Sequence, residues 1–457
     1  MVICLVAAAC GNRNQSADAE IDAAPPAADA CTELTCFQFD CAAKGLPTTS
    51  VSGTVFAPNG VLKLYGVNVY VPASDPGPLL RGVQCDRCGS LPGGSLTATV
   101  TDEDGHFTLE GVPATADVPI VIQVGKWRRQ IVLPNVAACQ DTALVAADTR
   151  LPRDKTEGDL PQIAITTGDA DALECLVKKL GVADSEFTIN TGPGAVHLYR
   201  GNGAKEFASG FTTGPTSFSP ALAFWNSTDV LSTYDIVMLS CEGDQNISPG
   251  GAAASVNAKP QSSLLALHDY AGLGGRVFMS HWHNVWIGGN RNNPGDAGYG
   301  IAAWKSIITW AFAAAQDELT QLTVVDETVP KGTSFATWLQ NVAATTTRGE
   351  LTVSQPRYTA QSADPAKSER WVYVDPLRST PTGKQSVQNV LFTTPIEEPS
   401  DNRCGKVVFS DMHVASGSSS KSNTPFPGGC STGALTAQEK ALAFIFFDIS
   451  TCVGGLQ

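Results

Sequence analysis

The chain has 457 residues, too many for one ordinary hydrophobic core, so two or three domains are expected. It is 43% hydrophobic and 16% charged, with 43 glycines and 28 prolines, which suits a β-rich, loop-rich extracellular protein better than a helical cytosolic enzyme. The net charge of −14 argues against a nucleic-acid partner, and past the first residues no run of about 18 apolar residues is available to span a bilayer.

The chain opens on "MVICLVAAACGN", apolar and ending in small residues, and passes into an Ala/Pro-rich polar stretch unable to form a core. This boundary resembles a bacterial lipoprotein signal, which implies cleavage after Ala9 and a lipidated Cys10 at residues 1–10, then a flexible tether over 11–30. It departs from that pattern at Ala7, where leucine is usual, and in having no Lys or Arg before the apolar run. The other reading is a frayed apolar N-terminus.

A cysteine-rich leader occupies 31–48, and further cysteines scatter through loops and element ends, as in disulfide-bearing proteins of oxidising compartments. Cys85 and Cys88 have CxxC spacing without the second pair that zinc would need. Their Gly/Pro-rich flanks also lack the helix that a redox pair opens. A local Cys85–Cys88 disulfide is the expectation, with one thiol elsewhere left over.

From Val51 onward "VSGTVFAP", "GVNVYVP", "SLTATVTDEDGHFTLEGVP" and "VPIVIQVGKWRRQIVLP" carry period-two apolar residues between turn residues, the pattern of an antiparallel sandwich. The stretch with Thr101, Asp102, Gly105 and Phe107 resembles the carboxypeptidase regulatory-like, transthyretin-like domain over 49–153. The resemblance implies a hairpin whose aromatic residue packs inside, and an accessory or adhesive role. The basic "GKWRRQ" reads either as a stacking platform for a sugar or anion, or as a solvated strand with Trp127 covering neighbouring surface.

After residue 160 strands alternate with helices, which predicts a mainly parallel sheet. "QIAITTG", "STYDIVMLSCEGD", "RVFMSHWH" and "GKVVFSDMHVAS" read as buried strands. "DADALECLVKKLG", "SSLLALHDYAGLGG" and "LTAQEKALAFIFFDIS" read as helices, the last opened by a Thr436/Glu439 capping box. "SFATWLQNVAATT" is a further helix, and "RWVYVDP" and "SVQNVLFTTPI" are strands that extend or edge the sheet. The fold class is therefore mixed, an antiparallel sandwich followed by an α/β domain over 160–457.

Ligands of open parallel sheets sit beyond the strands' carboxyl ends. Here those ends carry Thr166 and Thr167; Ser240, Cys241, Glu242 and Asp244; Ser280, His281 and His283; and Asp411 and His413. Together with the helix–Gly-Gly–strand–His sequence, they resemble the class I glutamine amidotransferase-like fold, closest to its trehalose-utilisation (ThuA-like) branch. A glutaminase needs a cysteine between glycines at the elbow, where this chain has Met279-Ser280-His281-Trp282-His283. It also needs a glutamate two residues after the late histidine, where Ala415 stands, so glutamine hydrolysis is not expected. Cys241 reads as a disulfide partner or a buried thiol.

The expected cleft is lined by Ser280, His281, Trp282, His283, Asp411, His413 and Glu242, with Trp225, Trp286 and Trp304 near it. Because residues i and i+2 of a strand share a face, His281, His283 and His413 are also a candidate zinc set. The expected function is that of an exported lipoprotein of the periplasm or outer surface, anchored to the membrane by lipid. It would bind a carbohydrate-like or other polar small molecule through a degenerate amidotransferase-like domain. The rivals are a hydrolase, metal-assisted where zinc is held, acting on envelope or extracellular glycans, and a structural envelope protein.

Overall fold

The computed structural model describes residues 33–247, 256–312, 319–414 and 424–454; Cys10, the signal and the tether lie outside the described residues. Seven strands form the N-terminal part: β1 (Ser50–Thr54), β2 (Asn68–Pro72), β3 (Ser95–Val100), β4 (His106–Glu110), β5 (Val118–Val124), β6 (Trp127–Leu133) and β7 (Asp141–Ala143). They make a three-stranded sheet, β4-β1-β7, and a four-stranded sheet, β3-β2-β5-β6. Pairing is antiparallel throughout except for the parallel β1–β7 pair.

The period-two reading holds in β4, where Phe107 and Leu109 are buried and His106, Thr108 and Glu110 are exposed. The expected β3–β4 hairpin does not form, because the two strands enter different sheets. Residues 101–105 are instead a corner, in which Asp102 Oδ1 accepts from the backbone N–H groups of Asp104 and His106. Gly105 at this corner has φ +69°, and a β-carbon there would lie 3.0 Å from Lys63. Phe107 packs inside, as the resemblance implied, its ring set where a β-carbon on Gly53 would stand 3.1 Å away.

The remaining strands are β8 (Ile163–Thr166), β9 (Phe187–Thr188), β10 (Val196–Arg200), β11 (Ser219–Pro220), β12 (Ile236–Leu239), β13 (Arg276–Ser280), β14 (Ile308–Trp310), β15 (Gln321–Val325), β16 (Glu350–Val353), β17 (Ala360–Ala363), β18 (Glu369–Val374), β19 (Ser386–Thr394) and β20 (Gly405–Ser410). Except for β14 and β17, which pair with each other, they form one sheet in the order β11-β10-β8-β12-β13-β20-β19-β18-β15-β16, with β9 beside β10. The half from β11 to β20 is parallel, and from β19 outward it is antiparallel. Every residue of β8, β12, β13 and β20 is buried. Helices cover both faces of such strands, which is why they read as unbroken apolar runs rather than alternating ones.

The closing helix Ala437–Ile449 begins with the capping box on Thr436 and Glu439. Almost all of it is buried, and one apolar cluster runs from Val51 of β1 through Phe444, Phe446 and Phe447 of this helix. Trp127 belongs to that cluster. It is 1% exposed and meets Phe446 and Phe447 edge-on at 6.3 and 6.0 Å. Arg128 is buried beside it and pairs with Asp159 at 2.7 Å. The "GKWRRQ" segment is therefore no sugar platform: as the other reading expected, Trp127 covers neighbouring surface while Gln130 is exposed, and Trp127 with Arg128 joins the N-terminal sheets to the rest of the protein.

Two disulfides fasten the same junction and correct the expected local Cys85–Cys88 bond. Cys85 is joined to Cys404, and Cys88 to Cys452. The segment runs extended beside the chain's end, with Cys88 N–H donating to Val453 O (3.1 Å) and Val453 N–H to Asp86 O (2.9 Å). An extended backbone separates side chains three positions apart, so each sulfur reaches its own partner. Cys41–Cys139 and Cys175–Cys430 are also bonded. Disulfides of this kind are compatible with an exported protein. Among the described residues Cys241 is a free, buried thiol, and no helix is long and apolar enough to cross a membrane.

Candidate functional site

The register of the parallel strands builds the site. Leu239, Met279 and Phe409 lie level across β12, β13 and β20, and Ser280 lies level with Ser410. The residues that follow, Cys241, His281 and Asp411, leave the sheet together at its carboxyl edge, and His413 comes two residues later. Cys241 Sγ lies 3.5 Å from His281 Nδ1, and the His281 and His413 ring centres are 5.3 Å apart. One donor atom from each of Cys241, His281 and His413 lies within 4.8 Å of the other two, and all three side chains are buried.

His283 does not join them, which corrects the expected His281/His283/His413 set. The strand ends at Ser280, and His281–Asn284 is a 3-10 turn. His281 has φ 37°, in the left-handed region that a side chain with a β-carbon avoids. A 3-10 turn rotates about 120° per residue, so i and i+2 no longer share a face. Both His283 nitrogens have partners: Nε2 donates to Ser240 O (2.9 Å), and Nδ1 accepts from Trp286 Nε1–H (2.8 Å). His283 is a structural residue of the turn.

The other expected lining residues separate in the same way. Ser280 Oγ donates to Asp171 Oδ2 (2.6 Å), whose other oxygen accepts from Val414 N–H (2.9 Å); together they hold the loop after β20. Asp411 turns its carboxylate away to Thr359 Oγ1 (2.7 Å) and the Ala360 N–H (2.9 Å). Burial raises the Asp411 pKa to about 6. Glu242 is in a buried ion pair with Lys259 (2.6 Å), and that ammonium also sits over Trp225 at 4.8 Å. Trp225, Trp286 and Trp304 are core residues. Trp282 is half-buried beside His281, with the Arg291 guanidinium 4.4 Å from its ring centre. Of the expected set, His281, His413 and Trp282 face the cluster.

Two members escaped the sequence reading. Cys241 stood among the strand-end residues, but nothing set its thiol beside His281. Arg357, in the loop between β16 and β17, gave no signal at all. Its Nη2 lies 3.3 Å from His413 Nδ1, and the residue is 3% exposed.

The electrostatics fix the protonation states. Burial, and then the positive charges of Arg357 and Arg291, hold His281 well below the usual histidine range. Burial, and then His281 and Arg357, do the same to His413. Burial pushes the Cys241 thiol up to about 12. At neutral pH the cluster is a thiol and two neutral imidazoles, so Cys241 lacks the thiolate character of a nucleophilic cysteine. The donor types suit zinc, whose tetrahedral sites place their ligand atoms about 3.3–3.8 Å apart. The adjacent guanidinium opposes a second cation there.

No known protein family matches the sequence, and no curated protein matches it either. Among solved structures, a ThuA-like protein from Bacteroides uniformis is similar at 12% identity over 62% of this chain and 88% of its own, with a TM-score of 0.30. A cytoplasmic protein from Salmonella typhimurium is similar at 11% identity over 55% of this chain and 88% of its own, also with a TM-score of 0.30. A type II cohesin–X-dockerin complex from Acetivibrio cellulolyticus is similar at 17% identity over 32% of this chain and 78% of its own, with a TM-score of 0.15. Likenesses at these TM-scores assign neither a fold family nor an activity to this chain.

Proposed function

We propose that this chain is an exported protein, tethered through a lipidated Cys10, that binds a carbohydrate-like or other polar small molecule without turning it over. In this reading the two N-terminal sheets are a carboxypeptidase regulatory-like sandwich and the parallel sheet is a degenerate amidotransferase-like fold. No nucleic acid is a partner. The observation that carries the reading is the convergence of Cys241, His281 and His413, buried and uncharged, at the carboxyl edge of three neighbouring parallel strands. Burial, which keeps the Cys241 thiol protonated, supports binding over nucleophilic catalysis by that cysteine. Calorimetry of the full chain against a panel of neutral and acidic mono- and oligosaccharides tests it. One saturable site that is lost in His281→Ala, with the ligand recovered unchanged, is the expected result. Turnover of the ligand, or binding indifferent to His281, refutes it.

The second reading is a metal-assisted hydrolase of envelope or extracellular glycans, favoured by the 3.5 Å thiol–imidazole separation. Cys241, His281 and His413 would hold the zinc, and a metal there would supply an activated water. Elemental analysis of the purified protein tests it: one zinc per chain, lost in Cys241→Ser, supports a hydrolase, and metal-free protein excludes it.

A further inference from the structure

Resting on the ligand-site reading, we infer that the group recognised at this site is an oxyanion, a carboxylate or a phosphate, clamped by Arg357 with His413 beside it. The inference comes from the polarity of the atoms left without partners. A guanidinium can only donate, so the 3.3 Å contact between Arg357 Nη2 and His413 Nδ1 makes that nitrogen the acceptor. With Nδ1 accepting, the ring's proton sits on Nε2. That Nε2 is buried and has no partner, and Arg357 Nε and Nη1 are buried without partners too. All three atoms are donors, and the group that would satisfy them is an acceptor.

The guanidinium geometry sharpens this. Nη2 carries two hydrogens, one on the edge shared with Nε and one on the edge shared with Nη1. His413 Nδ1 takes one of them. Whichever it takes, the other edge keeps both of its parallel N–H donors, the fork that fits a carboxylate or phosphate bidentately. Two buried carboxylates, Asp411 and Asp171, act on this charge, yet neither forms an ion pair with it or meets its free N–H donors: Asp411 is engaged by Thr359 and Ala360, and Asp171 by Ser280 and Val414. The backbone around Arg357 is fixed, since its N–H donates to Asp411 O (3.3 Å) and its carbonyl accepts from Gln388 Nε2 (2.8 Å). A buried cation with an open fork in a fixed loop is prepared for an anion that arrives from outside.

The test is thermal denaturation and calorimetry of the full chain at constant ionic strength, with glucuronate, acetate and inorganic phosphate as probes and glucose as the uncharged control. The expected result is saturable stabilisation by an oxyanion, at least tenfold tighter than any effect of glucose. Arg357→Lys, which keeps the charge and loses the fork, weakens it at least tenfold. Arg357→Met abolishes it while leaving the near-UV circular dichroism of the ligand-free protein unchanged. Carboxylate response assigns an acidic ligand, and phosphate response alone assigns a phosphorylated one; both support the clamp. Anion response that survives Arg357→Met overturns the inference. A neutral sugar that binds through His281 while no oxyanion binds overturns it and leaves the ligand-site reading standing. If no probe binds, both fall.

Discussion

The two disulfides that cross the junction interleave along the chain, and the interleaving makes a quantitative prediction. Cys85–Cys404 and Cys88–Cys452 span 319 and 364 residues. With either bond intact, the other closes only the short ring between them, three residues on one side and 48 on the other. When both are gone Cys175–Cys430 still links the two segments, so the last bond removed had closed a ring of roughly 110 residues. The chain-entropy relation gives about 4 kcal/mol for a ring of about 50 residues and about 5 kcal/mol for one of about 110. Removing either pair alone, as Cys85→Ser/Cys404→Ser or Cys88→Ser/Cys452→Ser, should therefore cost about 4 kcal/mol. Removing both should cost about 9 kcal/mol, because the last bond to go opens the larger ring. Equilibrium denaturation in urea of the three variants, with thiol counts and non-reducing peptide maps, measures this. A local Cys85–Cys88 bond would instead close a three-residue ring worth about 1.5 kcal/mol and leave Cys404 and Cys452 reactive. Recovery of that peptide, or reactive thiols at Cys404 and Cys452 in the unmodified protein, refutes the connectivity.

Four further outcomes follow from the packing and the charges. Trp127→Ala should destabilise the whole protein by about 3–5 kcal/mol in a single unfolding transition, because its indole is shared by the N-terminal sheets and the last helix; two separated transitions would count against a shared core. His283→Ala should cost about 2–4 kcal/mol by stranding the Ser240 carbonyl and the Trp286 N–H. The affinity of any His281-dependent ligand should hold within about threefold, and a larger loss would return His283 to the site. Burial raises the Glu174 pKa from 4.5 to about 8. Its unfolded state therefore releases the proton first, and stability present below pH 4.5 is lost as pH rises toward 8, by up to about 1.4 kcal/mol per pH unit; Glu174→Gln should flatten that slope, and an unchanged pH profile would refute the assignment. Thr436→Ala should cost about 1 kcal/mol in urea melts through loss of the capping box, and a change below about 0.3 kcal/mol would mean the box is not formed in solution.

The sequence by itself determined whatever depends on local period and local chemistry. Alternation placed Phe107 and Leu109 inside β4, continuous apolar runs marked the buried strands β8, β12, β13 and β20, and Thr436 with Glu439 fixed the start of the last helix. It also placed His281 and His413 at strand ends, where parallel sheets gather ligands. Only the tertiary structure decided which of those ends meet. A left-handed residue at His281 turned the strand into a 3-10 turn and sent His283 to Ser240, a conformational choice with no signature in the letters His-Trp-His. The loop between β16 and β17 brought Arg357 to His413 across 56 residues, and disulfides spanning more than 300 residues overrode the local pairing that CxxC spacing suggests. Period and capping act within a few bonds along the chain, so one sequence exposes them. Contacts between distant segments depend on how sheets and helices stack, and no short stretch of this chain encodes that.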